Sequence, residues 1–96
     1  KEYLPAVKKY VNIAKLLGLI NFNTITTVRA LVNWVQFMLK EMDMPISISQ
    51  WGKVSEQDYM AAVSSMADAA LADGCTATNP RKPNKADVME IYRNIW

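Results

Sequence analysis

Apolar side chains return every third or fourth position along most of the chain, and that spacing predicts about four helices. The first is expected from Pro5 to Leu17, with Val7, Tyr10, Val11, Ala14 and Leu17 on one face. Pro5 suits a first helical turn and Gly18 the position just past a helix end. Lys8, Lys9 and Lys15 fall off the stripe and read as a solvated face.

A second helix is expected from Ile25 to Met42, capped by Thr24 or Asn23 and stopped by Asp43-Met44-Pro45. Ten of the fifteen residues from Val28 to Met42 are apolar, Trp34, Phe37 and Met38 among them. Arg29, Asn33, Gln36 and Lys40 form one narrow polar stripe. A helix with so little polar surface has to be covered on most sides. It is therefore either a central helix or part of an interface with something beyond these residues.

Ile46 to Val54 alternates too briefly for a strand and reads as a loop or single helical turn holding Trp51 against the domain. The third helix opens on Ser55-Glu56-Gln57-Asp58, a capping-box pattern in which the acid reaches back to the backbone, with Val54 and Tyr59 as a hydrophobic staple. Its expected buried face is Tyr59, Val63, Met66 and Ala70, and its many alanines allow a neighbour to approach closely. Asp73-Gly74 reads as its stop, and Cys75 to Pro83 as a non-helical segment of turn formers. Asn84 with Asp87 signals another cap, opening a last helix from Lys85 to Trp96 that buries Val88, Ile91, Tyr92 and Ile95. The fold class predicted is all-α, a helical bundle.

Length and composition narrow the chemistry. Ninety-six residues make one small domain, and a hydrophobic fraction of 51% excludes a disordered tail. No apolar run approaches the roughly 20 residues of a membrane span, and no export leader is recognisable. One cysteine forms no internal disulfide, which makes the reducing cytoplasm the expected location. A net charge of +2 is too mild for a nucleic-acid face, so no nucleic acid is expected as a partner.

The histidine count of zero excludes the common hydrolase triads and most zinc sites. No glycine-rich phosphate loop and no calcium-loop spacing is present. Catalytic, cofactor-binding and metal-ligating residues are accordingly expected to be absent. Asp58 and Asp87 are accounted for as cap partners. The six methionines and Trp34, Trp51 and Trp96 read as core. Cys75, in a loop near Arg81 and Lys82, has no histidine to activate it and reads as packing or pocket-lining.

The segment Ala70-Leu71-Ala72-Asp73-Gly74-Cys75-Thr76-Ala77-Thr78-Asn79-Pro80-Arg81-Lys82-Pro83, with Val88-Met89-Glu90-Ile91-Tyr92 after it, carries a resemblance. It resembles the C-terminus of iron-containing alcohol dehydrogenases, including the alcohol dehydrogenase halves of aldehyde-alcohol dehydrogenases. That family closes on Asp-x-Cys, small residues, Asn-Pro-Arg and a last helix with an Ile/Leu-Tyr pair. Tyr10 to Leu19 resembles the helix after the family's metal-binding segment, and Met44-Pro45-Ile46 its Ile-Pro turn.

The resemblance implies a two-domain parent enzyme interconverting alcohols with aldehydes or ketones. An α/β domain would bind NAD or NADP. A helical domain would hold iron or another divalent metal through one Asp and three His, polarising the substrate oxygen during hydride transfer. Residues 1–96 would be the C-terminal part of that helical domain, beginning after the metal ligands and not catalytically competent alone. Its partners would be the missing N-terminal and metal-binding portions of the same enzyme, and the parent is expected to be a homo-oligomer. Cys75 maps to the substrate-pocket lining, and Asn79, Pro80 and Arg81 to loop geometry and docking. The alternative is a stand-alone helical interaction module using the apolar face of residues 28–42.

Overall fold

The computed structural model describes residues 4–19 and 23–96. Among them are five α-helices and one 3-10 segment, with no strand, so the all-α prediction holds. The chain divides between Met44 and Pro45 into two compact units. No helix among the described residues is long and apolar enough to cross a membrane.

The first unit holds α1 (Leu4–Leu16) and α2 (Thr24–Glu41). Gly18 adopts the left-handed conformation (φ +73°) that ends α1. Leu19 N–H reaches Ala14 C=O at 2.8 Å and Gly18 N–H reaches Lys15 C=O at 3.0 Å, the paired bonds of a Schellman stop. α2 ends the same way, with Asp43 in the left-handed position (φ +53°) where a glycine is commoner. Its start is capped by Asn23, not Thr24: the Asn23 side chain accepts the Thr26 N–H at 2.9 Å. The buried Thr27 hydroxyl donates to Asn23 C=O at 2.8 Å, so the polar group inside this unit is satisfied.

Two helices cover only a line of each other. Ala14, Thr27 and Leu31 are buried there, while Tyr10 and Leu17, expected on the inner stripe, are largely exposed. Val32, Val35, Phe37 and Met38 on α2 also stand exposed, Phe37 by 58%.

The second unit contains α3 (Ile48–Trp51), α4 (Glu56–Ala72), the 3-10 segment Gly74–Thr78 and α5 (Lys85–Asn94). α3 is the anticipated single turn, yet Trp51 is 54% exposed. Trp96 is the indole that packs, its ring 4.9 Å from that of Tyr59. α4 buries Tyr59, Val63 and Ala67, a strict i, i+4, i+8 line, and leaves Met66 and Ala70 half-buried. On α5 only Val88 is buried; Ile91 and Ile95, expected inside, are exposed. None of the six methionines is buried. Units of about fifty residues have too little interior to enclose every apolar face.

The two predicted capping boxes differ. Asn84 and Asp87 form a complete one, Asp87 N–H to Asn84 Oδ1 at 2.9 Å and Asn84 N–H to Asp87 Oδ2 at 2.9 Å. At α4 the Ser55 oxygen accepts the Asp58 N–H at 3.1 Å, but the Asp58 carboxylate takes the Ser55 hydroxyl proton at 2.6 Å and not the backbone N–H. A serine cap offers its own proton to a nearby acid, whereas an asparagine capping oxygen has none to give.

Candidate functional site

The loop after α4 is built from its own polar side chains. Asp73 ends α4 in an extended conformation, its N–H bonded to Ala69 C=O at 3.1 Å. Its carboxylate accepts the Cys75 N–H at 2.7 Å and so opens the next turn. Gly74 is not a left-handed stop as the sequence implied; it is the first residue of the 3-10 segment, and residues 74–78 are not the irregular stretch expected. The Thr76 hydroxyl donates back to Ala70 C=O, and the Thr78 hydroxyl to Cys75 C=O at 2.7 Å. Asn79 Nδ2 donates to Arg81 C=O. These hydrogen bonds hold the Cys75 turn against the end of α4.

A second clamp ties the far end of the loop to α5. The Arg81 guanidinium meets the Asp87 carboxylate at 2.7 Å, while the other carboxylate oxygen remains in the Asn84 cap. One aspartate thus serves the helix start and the loop. The Asn84 N–H, and after it the Arg81 guanidinium, hold the Asp87 carboxyl below the ordinary carboxylate pKa. Lys85 pairs with Asp68 across α4 and α5 at 2.7 Å, an exposed contact of small energetic weight.

A depressed native pKa means that stability is fully present above the unfolded value of 3.8 and is lost as pH falls through the lower native value. Unfolding midpoints measured from pH 5 to pH 2 are expected to fall more steeply in the parent chain than in Asp87→Asn. Parallel curves below pH 4 would remove Asp87 from the acid response.

Between the loop and α5 lies an open depression of about 590 Å³, whose lining includes Cys75, Thr76, Arg81, Ile91 and Tyr92. Cys75 is a free thiol and exposed. Arg81, near the thiol in sequence, directs its guanidinium to Asp87. The structure therefore brings Cys75, Thr76, Asn79 and Arg81 around one concavity, with Asp73, Asp87 and Tyr92. Asp87 was foreseen only as a cap; its pairing with Arg81 depends on the path of the loop, which residue spacing does not reveal.

Among the described residues no three His, Cys, Asp or Glu side chains come together. With no histidine in the sequence, the metal implied by the resemblance does not fit the residues of this chain.

Comparison with known proteins agrees with the closing motif. Residues 2–96 match the family described as "Fe-containing alcohol dehydrogenase family, C-terminal". The NADPH-dependent butanol dehydrogenase of Clostridium saccharobutylicum is 29% identical over 91 residues, covering 95% of this chain and 23% of that protein. The bifunctional aldehyde-alcohol dehydrogenase AdhE of Escherichia coli K12 is 33% identical over 93 residues, 95% of this chain and 10% of that protein. The 1-propanol dehydrogenase PduQ of Salmonella typhimurium is 29% identical over 92 residues, 94% of this chain and 25% of that protein. The chain thus spans a quarter or less of the length of these curated relatives.

Proposed function

Since the chain belongs to the iron-containing alcohol dehydrogenase family and matches its C-terminal part, we propose that it builds one wall of the substrate cleft in an enzyme interconverting alcohols with aldehydes or ketones. Residues 1–96 are then the C-terminal part of the helical domain. The NAD(H)- or NADP(H)-binding domain and the ligands of iron or another divalent metal belong to further portions of the same polypeptide. The helices here do not catalyse alone; their task is shape and exclusion of water. A homo-oligomer in the cytoplasm is the proposed setting, where a lone exposed thiol stays reduced.

The observation that carries this reading is the family match over the whole loop that sets Cys75 on the rim of an open depression. Thr78 and Asn79 use their polar groups within the loop, Thr76 on the end of α4 and Arg81 on Asp87 of α5. The thiol is left as the small, weakly polar group facing a ligand. Such a residue limits substrate bulk without performing chemistry.

The test uses the full-length polypeptide. Alcohol-dependent reduction of NAD or NADP should disappear on chelation and return with divalent metal. Cys75→Phe should raise the KM for a primary alcohol by at least about tenfold, the low end for a single methylene of misfit in a pocket, and leave the dinucleotide KM unchanged. Cys75→Ala should stay within about threefold of the parent. Absence of metal-dependent oxidation with either dinucleotide would refute the enzyme reading. An unaltered alcohol KM in Cys75→Phe would remove Cys75 from the pocket wall.

A further inference from the structure

On one side of the first unit, α1 and α2 leave a groove of about 400 Å³ lined by Tyr10, Val28, Leu31, Val32, Val35 and Gln36. Val32 and Val35 are exposed along it, and Tyr10 continues into the exposed Ile13 on α1, its i+3 neighbour, and Leu17 just past the helix end. The result is an apolar trough bounded by two helices, the shape that accepts a third helix.

The rims of the trough carry a charge signature. From Leu4 to Glu41 the charged side chains are Lys8, Lys9, Lys15, Arg29, Lys40 and Glu41, and the one acid stands nine positions from Val32, on the opposite face of α2. Around α2, Val32 is followed on the helix surface by Gln36 at i+4 and Arg29 at i−3, and Gln36 by Lys40 at i+4. On α1, Lys9 stands i−4 from Ile13 at the outer edge. Gln36, Arg29, Lys40 and Lys9 are exposed. A second copy docking through this face would set basic rim against basic rim, which is penalised.

We propose that this groove seats an amphipathic helix from another portion of the same polypeptide, with an aliphatic stripe against Val32 and Val35 and Asp or Glu flanking it toward Arg29, Lys40 and Lys9. The inference rests on the reading that these residues work joined to the rest of a larger enzyme. It adds which surface makes the junction and what chemistry meets it. Apolar contact supplies the affinity and the basic rims fix the partner and its register.

The experiment places the photoreactive residue p-benzoylphenylalanine at Val32 of the full-length polypeptide, with the same probe at the exposed Glu41, nine positions on and so on the opposite face of α2, as control. Irradiating a mixture of isotopically light and heavy copies separates adducts within one polypeptide from those between two. The expected result is an adduct within one polypeptide, from the Val32 probe alone, to an apolar segment flanked by acids outside residues 1–96. Reversing the rim with Arg29→Glu and Lys40→Glu should lower its yield roughly fivefold, the scale of two exposed charge pairs. An adduct joining residues 4–42 of two copies, capture by any other class of segment, equal reaction at Glu41, or no adduct would each overturn the proposal. Its failure stays separable from that of the enzyme reading. Cross-linking without metal-dependent oxidation leaves the groove assigned, and oxidation without the adduct leaves the enzyme.

Discussion

Tyr59→Ala is expected to destabilise the second unit by about 3–5 kcal/mol, the range for truncating a buried aromatic. Tyr59 is 7% exposed and fills the space between α4 and the end of α5. Its hydroxyl donates to Tyr92 C=O at 2.8 Å, one of the terminal carbonyls that a helix cannot satisfy from within. Burial, with Tyr92 nearby, raises the phenol pKa, so the donor proton is retained throughout the neutral range. The same helix end is closed by α3: Ile48 N–H donates to Ile95 C=O at 2.8 Å and Ser49 N–H to Trp96 C=O at 3.1 Å. Orphan donors at the start of one helix thus meet acceptors at the end of another.

Tyr59→Phe isolates the hydroxyl and should cost about 1–2 kcal/mol, since the ring stays and only the carbonyl is orphaned. The check is chemical denaturation, with amide exchange in residues 85–96 read alongside. Tyr59→Ala should release those amides together. A loss below 1 kcal/mol with protection of α5 unchanged would mean that the phenol does not hold the helix end.

Elements with a long, regular period were legible in the sequence, and their ends moved little: Leu4–Leu16 for an expected Pro5–Leu17, and Thr24–Glu41 for Ile25–Met42. Their caps were legible too, because Gly18, Ser55 and the Asn84–Asp87 pair act on residues within a few positions of themselves. Depth was not legible. Periodicity marks the face suited to burial but not what covers it, so Ile91 and Tyr10 have the spacing of inner positions and stand outside. For the same reason Trp51 and Trp96 were indistinguishable until the fold set Trp96 beside Tyr59.

The surplus apolar surface of α2 shows the converse. Its composition required a cover, and the exposed Val32 and Phe37 agree that the first unit does not supply one. The candidate site was legible only through resemblance. Nothing in the spacing of Cys75 distinguishes a pocket wall from packing, and the Arg81–Asp87 clamp needs the loop's path to exist at all.

Ala67→Leu is expected to be the most damaging substitution that removes nothing. Ala67 is 0% exposed, next on the α4 line after Tyr59 and Val63. The helices run antiparallel, since Tyr59 meets Tyr92 and Trp96 while Asp68 meets Lys85. That alignment sets Ala67 beside the first turns of α5, where a methyl group permits close approach and three further carbons do not. Overpacking of this kind costs about 1–3 kcal/mol. The exposed Ala69 provides the control on the same helix: Ala69→Leu should change stability by no more than about 0.5 kcal/mol.

The consequence for the site follows from where the displaced helix begins. Asn84 and Asp87 stand at the start of α5, and Asp87 holds Arg81, so moving that end slackens the loop that carries Cys75. Thiol titration with a disulfide reagent should therefore run faster in Ala67→Leu than in the parent or in Ala69→Leu, in parallel with a lower unfolding midpoint. If Ala67→Leu matched Ala69→Leu in both measurements, the α4–α5 seam would not be tight at Ala67, and the Cys75 loop would owe its shape to its own hydrogen bonds alone.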